Sequence, residues 1–453
     1  MAEVLPFQER EDTDRFVVIG MEAITPLGPD KDSSWTNLIS GKHGFVPLSE
    51  LPFSKMPGME VVKSKIVAPV HSDFDFDNYP SITESLSPRQ KRSIHRSGEL
   101  VTAAMYQALC QPNLIGEGSC KINSIIDPWR VSSYVGTAFS GAHTLAEVTG
   151  RAKTSDLFNT LYGRAATAPA MILGIKGAVS AVSTECASSS GVVHDGLRSL
   201  WRKPWGAEPD ADILVIGGTE SVLSPKPIEF FESLQVAVDT RDVDEIDIVS
   251  RALDKDRRGL IFGEGAGALV ITSLKKAREL GIKDEDIIAE IVGSAHLTEA
   301  ETETLNGEEG QERVVYSVLE QAGVTAGELG YINGHLTATP GGDESETRAT
   351  RKALAELGLK PENFYYGSTK SSTGHNLGAA GVIEAIFAIM ALRGSVIPPP
   401  RNLENPIDEA EEFMLNMNWS AENPTKAPIS VAVSNNFGFG GSAVALAFRK
   451  FQP

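Results

Sequence analysis

Cys186 sits in VSTECASSSGVVHDGL, where an apolar β-like run passes abruptly into a helix-like one. A thiol at such a junction meets the positive end of a helix dipole and free backbone N–H groups, which favour thiolate and can hold an oxyanion. Alone, a cysteine among small residues reads as a packed core thiol. Two later histidine-bearing segments change that reading. YINGHLTATPGGDESET places His335 after a strand, then Thr337 and Thr339, then a Pro-Gly-Gly turn, Asp343 and Glu346. On extended chain the two hydroxyls point to the same side as the histidine and suit a polar arm lying along the strand end. GSTKSSTGHNLGAAG brings Lys370 and His375 onto a glycine-bracketed turn. A lysine beside a histidine disfavours imidazolium and keeps the ring neutral, able to donate a hydrogen bond. Near the C-terminus SNNFGFGGSAVALAF sets Phe437 and Phe439 in a glycine-rich loop, where a backbone N–H can approach a ligand and a phenylalanine can serve as a movable lid. GEGAGALVI, from Gly263, lacks the GxGxxG order, so no dinucleotide site is read there.

Strand ends and helix starts must position these groups, and the chain supplies an alternating series of both. Arg15–Gly20 (RFVVIG) reads as a buried strand, with a helix around Ser33–Ser40. Leu48–Pro88, rich in Pro, Ser and Asp, reads as excursion loops. Ser87-Pro88 then caps a helix running toward Leu109, whose first turns carry Arg89, Lys91, Arg92 and Arg96. RVSSYVG and DILVIGG flank the Cys186 helix; GALVIT, IIAEIVG, YINGH, YGSTKSS and ISVAVSN continue the strands, with helices near Gln311–Ala322 and Thr347–Leu357. The alternation predicts an α/β architecture with mostly parallel sheets. STECASSSGVVHDGL has a gapped counterpart in STGHNLGAAGVIEAI, which hints at two related halves.

Composition narrows the function classes. A chain of 453 residues allows about two or three domain-sized units, and 41% hydrophobic with 22% charged residues is ordinary for a globular protein. A net charge of -19 argues against a general nucleic-acid binder, whose footprint is a basic surface. The basic helix is a local exception, readable as a solvated face or as a dock for an acidic partner. Cys110, Cys120 and Cys186 have no metal-ligand spacing and suggest neither a disulfide framework nor a zinc site, which fits a reduced cytoplasmic setting. No basic-then-apolar leader stands at the N-terminus and no run approaches ~18 apolar residues, so neither a signal peptide nor a membrane span is expected.

Cys186, His335, Lys370, His375 and the GFGG loop, taken in order, resemble the β-ketoacyl carrier-protein synthases, elongating condensing enzymes of fatty-acid and polyketide assembly in the thiolase-like superfamily. The resemblance runs from VVIGMEAITPLG to GFGGSAVALAF and includes DKDRRGLIFGEGAG, from Asp254. It implies duplicated halves, residues 14–275 and 276–453, forming a five-layered α-β-α-β-α sandwich. It implies that Cys186 carries an acyl group, that His335 and His375 stabilise the enolate of a decarboxylating malonyl unit, and that the N–H groups of Cys186 and Phe439 hold the oxyanion. Lys370 would tune His375, Thr337 and Thr339 would bind a phosphopantetheine arm, and Asp343 and Glu346 would support. No metal or redox cofactor is implied. The partner would be an acidic acyl carrier protein docking on Arg89, Lys91, Arg92, Arg96 and Arg241. The assembly would be a homodimer or a heterodimer with a chain-length partner.

Some residues depart from the family pattern. Glu185 precedes the cysteine where a small residue is common; since an inward carboxylate would raise the thiol pKa, Glu185 is expected to turn away or pair with a cation. Gly334 and Leu336 flank His335 in place of Ala and Gly. In VGTAFSGAHT, Ala138 and Phe139 stand where smaller or aliphatic residues line the acyl pocket, which predicts a short or flat acyl group. Two other readings stay open: acyl transfer to an alcohol or amine without decarboxylation, and a non-catalytic chain-length subunit, which the retained cysteine and histidines disfavour.

Overall fold

The computed structural model describes residues 10–141, 153–201, 208–241, 243, 245–300, 307–325, 327–360, 364–414 and 423–453. Ala142, His143 and Thr144, at the end of VGTAFSGAHT, lie outside them. Ten strands carry the fold: β1 (Phe16–Ile24), β2 (Val131–Gly136), β3 (Val179–Val182), β4 (Ile213–Glu220), β5 (Gly265–Ser273), β6 (Ala289–Thr298), β7 (Leu329–Asn333), β8 (Tyr365–Gly367), β9 (Val431–Gly438) and β10 (Ser442–Arg449). They form one sheet in the order β3-β2-β4-β5-β1-β6-β10-β9-β7-β8. The order β3-β2-β4-β5-β1 is repeated by β8-β7-β9-β10-β6, so each half has the same five-strand plan and the halves meet where β1 pairs with β6 over Phe16–Val18. The duplication hinted at by the sequence echo is therefore in the topology.

The sheet is mixed, which corrects the expectation of mostly parallel pairing. β2 pairs in parallel with β3 and β4, and β7 with β8 and β9, whereas β4–β5, β5–β1, β9–β10, β10–β6 and β1–β6 are antiparallel. The sequence reading counted strand–helix alternation, but the last link of each half is not a crossover helix. β9 turns into β10 through only Phe439–Gly441, and a turn that short forces antiparallel strands.

Side-chain alternation explains the layers. In β10, Val444, Leu446 and Phe448 join a central core, while Ala443, Ala445 and Ala447 join an outer one. α1 (Arg96–Cys110) and α2 (Arg164–Leu173) cover the outside of the first half; α3 (Ser188–Leu197) and α6 (Ala380–Gly394) fill the space between the halves; α4 (Glu308–Gln321) and α5 (Pro340–Glu356) cover the second. This is the expected five-layered α-β-α-β-α sandwich. α3 and α6 approach closely because their contact residues are small: a Cβ on Gly381 would fall 2.5 Å from the Ser190 nitrogen, and the Val382 N–H donates to Ser189 Oγ at 3.0 Å. The stretch Leu377–Gly394 is in fact 18 residues long and apolar enough by composition to cross a membrane, contrary to the sequence reading; it is mostly buried inside the fold as this central helix and its entry turn.

Three local expectations are also corrected. The helix read from Pro88 to Leu109 is two: a capping box at Ser87 starts Pro88–Lys91, and the extended His95, whose ring accepts the Ser97 N–H, starts α1. The Pro-Gly-Gly segment is not a turn but the opening of α5, with Pro340 at its first position. In YGSTKSS, β8 ends at Gly367 and Lys370–Thr373 forms a single helical turn.

Candidate active site

β3 delivers the chain to a 3-10 turn, Glu185–Ala187, and α3 follows at once, so Cys186 stands at the entrance of the central helix. Glu185 has φ 53°, in the left-handed region, and its side chain is exposed, yet its charge still reaches the Cys186 thiol and helps raise its pKa. The turn rests on β9: a Cβ on Gly438 would lie 2.5 Å from the Thr184 oxygen and 3.2 Å from the Cys186 nitrogen, so only glycine lets the strand leading to Phe439 come this near. Phe437 belongs to β9, not to the loop, and its ring packs 6.0 Å from that of His335.

His335 follows β7, where the chain is bent through Leu336 and Ala338, both at positive φ. Glu346, on α5, accepts the His335 N–H and the Leu336 N–H at 2.8 Å each. Asp343, one turn earlier, accepts the Leu253 N–H at 2.9 Å. The DKDRRGLIFGEGAG stretch braces both histidine segments. Arg257 donates to the Pro340 carbonyl at 2.6 Å and Glu344 at 2.7 Å, the Gly259 N–H donates to the Ala338 carbonyl, and the His375 N–H donates to the Ile261 carbonyl at 2.7 Å.

The result is a close triad. One ligating atom each from Cys186, His335 and His375 lie within 4.8 Å of one another, and the two imidazoles meet edge to face with centroids 5.2 Å apart. Burial, and then the Lys370 charge, push both histidines well below their ordinary pKa, so both rings are neutral. Burial also pushes the Cys186 thiol up, to about 12; the Glu185 charge adds to the rise and Lys370 opposes it. A thiol and two neutral imidazoles at this spacing are also a donor set that could ligate zinc.

Lys370 is buried and ion-paired with Glu384 of α6, whose other oxygen accepts from Asn436 Nδ2 at 2.7 Å. Sequence reasoning missed Glu384, although a lone acid inside the apolar run AGVIEAIFAIMALRG is a visible signal. It also missed Glu220, a buried carboxyl at the end of β4, and Phe231.

The triad opens into a cavity of about 600 Å³ that Thr337, Thr339 and Phe439 also line. Thr337 and Thr339 hydroxyls lie 3.0 Å apart. Ala138, Phe139, Phe231, Phe262 and Phe439 form an apolar cluster with the Cys186 side chain, and Phe231 and Phe439 line the cavity as well. The Phe231 ring lies 6.3 Å from Phe139, 5.5 Å from Phe262 and 5.8 Å from Phe439. The basic residues are scattered. Arg89, Lys91 and Arg92 are exposed beside the short helix, Arg96 stacks over Phe74 at 5.1 Å, and Arg241 pairs with Asp239 at 2.6 Å; none lines the triad cavity.

Residues 13–277 match the family model of the β-ketoacyl synthase N-terminal domain, and residues 288–404 that of its C-terminal domain. The chain belongs to the β-ketoacyl synthase family. This synthase is 31% identical to 3-oxoacyl-[acyl-carrier-protein] synthase 2 of Synechocystis sp., across 97% of this chain and 98% of that one. It is also 31% identical to the protein of the same name from Vibrio harveyi, across 96% and 98%. Its fold matches a β-ketoacyl synthase from Burkholderia phymatum with a TM-score of 0.81, 24% identity, and coverage of 97% of this chain and 100% of that one. It also matches the ishigamide ketosynthase/chain length factor with a TM-score of 0.79, 24% identity, and coverage of 97% and 99%.

Proposed function

We propose that this synthase catalyses decarboxylative Claisen condensation of a Cys186-bound acyl group with malonyl-acyl carrier protein, giving β-ketoacyl-acyl carrier protein in fatty-acid or polyketide biosynthesis. The observation that carries the reading is the meeting of one thiol and two neutral imidazoles within 4.8 Å in one cavity. Cys186 attacks the acyl thioester and the carrier thiol leaves. His335 and His375, neutral and therefore hydrogen-bond donors, hold the malonyl thioester carbonyl as carbon dioxide departs, stabilising the enolate. The carbanion attacks the acyl carbonyl, whose oxyanion sits between the Cys186 and Phe439 N–H groups, and the thiol is released. Lys370, held in place by its ion pair with Glu384, tunes the histidines through its charge, while Asp343 and Glu346 hold the His335 loop. Thr337 and Thr339 receive the phosphopantetheine arm, the only prosthetic group involved, and it arrives with the substrate. Ala138, Phe139 and Phe231 close the acyl side and favour a short or flat chain.

The acidic carrier would dock on the exposed Arg89, Lys91, Arg92 and Arg241 and on the half-buried Arg96. Lys63 and Arg258 join them, since they line a cavity that shares Gln235 with the triad cavity. The two halves, 14–275 and 276–453, are taken as one cytoplasmic catalytic unit that dimerises through the free edge of β3, whose residues carry no charge. A copy of this chain and a chain-length partner are both candidates for that edge.

Cys186→Gln removes the nucleophile and leaves the histidines. Malonyl-acyl carrier protein is expected to lose carbon dioxide on this variant and to stop doing so when His375→Ala is added; a decarboxylation-silent, folded Cys186→Gln protein would favour simple acyl transfer instead.

A further inference from the structure

Ala138 and Phe139 pack in the apolar cluster that holds Cys186, and both of their N–H groups are taken by one carboxylate. Glu220 is fully buried at the end of β4. It accepts the Ala138 N–H at 2.7 Å, the Phe139 N–H at 3.3 Å and the Thr137 hydroxyl at 3.3 Å. It also accepts the N–H of Gly378, three residues beyond His375. The two segments it joins are in direct contact, because a Cβ on Gly378 would fall 2.3 Å from the Ala138 nitrogen. Tyr162 adds a hydrogen bond from its hydroxyl to the Thr137 carbonyl. Phe139 is thus located from its backbone by Glu220 and from its ring by Phe231, and the turn after His375 is part of the same joint.

We propose that Glu220 is the positioning residue that sets acyl-chain length: its carboxylate fixes the Phe139 wall against the Gly378 turn and so limits the room beside the Cys186 sulfur. The proposal rests on the reading of Cys186 as the acyl-carrying residue. A carboxylate suits the task because every group that faces it is a donor, so it is satisfied only in this geometry. Burial raises its carboxyl to about 7 while these donors pull it back toward the charged form, so near neutral pH it is about half ionised. An amide in its place presents an N–H₂ to backbone donors and must swing away, releasing the wall.

N-alkyl iodoacetamides of graded length, from methyl to octyl, read the room around the sulfur whether or not the protein condenses anything. The thiol gives its proton to buffer, sulfur bonds to the CH₂ carbon and iodide leaves; intact mass and peptide mapping report the extent at Cys186. Wild type is expected to react with short reagents and poorly with octyl. Glu220→Gln is expected to raise the octyl-to-methyl rate ratio about tenfold, the scale on which pockets discriminate methylenes. Thr137→Val, which removes one donor, should shift it the same way by less. In a Phe139→Ala background Glu220→Gln should change nothing further, since it acts through Phe139. An unchanged ratio in folded Glu220→Gln, or an equal shift in the Phe139→Ala background, would overturn the proposal and leave the acyl-site reading intact. If Glu220→Gln does not fold, Thr137→Val with an unchanged ratio overturns it. Wild-type Cys186 that reacts with no reagent overturns both.

Discussion

At Cys186 two influences oppose each other. The helix start and the Lys370 charge favour thiolate, while burial and the Glu185 charge favour thiol, and the second pair prevails at about 12. Thiolate is then scarce at neutral pH and grows about tenfold per pH unit. Alkylation of Cys186 by iodoacetamide is therefore expected to accelerate steadily from pH 6 through 9, and a plateau below pH 8 would contradict the dominance of burial. Phe139→Ala or Phe139→Gly should open the acyl side and admit longer acyl carriers, by roughly tenfold in relative loading rate; no gain would count against Phe139 as the wall. That Cys186, His335 and His375 meet in one cavity was foreshadowed because each sits in a segment whose glycines, strand pattern or helix start mark a special backbone. Glu220 and Phe231 were not, since what makes them matter is a partner more than 80 residues away: Glu220 meets Ala138, and Phe231 meets Phe139. Nothing local to either residue signals that meeting.

Between elements, the joint that matters is Lys370 to Glu384, linking a one-turn helix to the central α6. Both side chains are about 3% exposed, so removing Glu384 leaves the Lys370 charge buried without its ion-pair partner. Glu384→Ala is expected to cost about 3–5 kcal/mol, read as a lowered midpoint in thermal or denaturant unfolding. A Lys370→Met, Glu384→Leu pair should recover much of that stability while activity stays lost, and a stable Glu384→Ala single variant would contradict the account. Helix starts were where sequence reading slipped. Ser87-Pro88 is a good cap, but it caps only one turn, because His95 offers a second cap to a helix whose apolar face packs on β1 and β5. Pro340 was read as a turn residue and is a helix opener, which is what aims Asp343 and Glu346 back at the His335 loop.

For the whole molecule, the alternation of strands and helices made the α/β class legible and the echo around Cys186 and His375 made the duplication so. The strand directions were not, because antiparallel closure of each half depends on a three-residue turn after β9 and a long excursion after β4. The sheet ends at β3, an uncharged edge of half-exposed residues that can pair with another chain. Because successive N–H groups of a strand face opposite sides, Ser180→Pro and Ala181→Pro between them remove a donor from that edge. At least one is expected to shift native mass from twice 48.5 kDa toward 48.5 kDa; a dimer indifferent to both would place the interface elsewhere. All of this positions one sulfur, and the most direct measurement is its loading. Purified protein offered acyl carriers of graded chain length should gain, by intact mass, one acyl group on Cys186 from the short members and none in Cys186→Ala. A folded protein that takes up no acyl group, or takes it up equally without Cys186, would contradict the account.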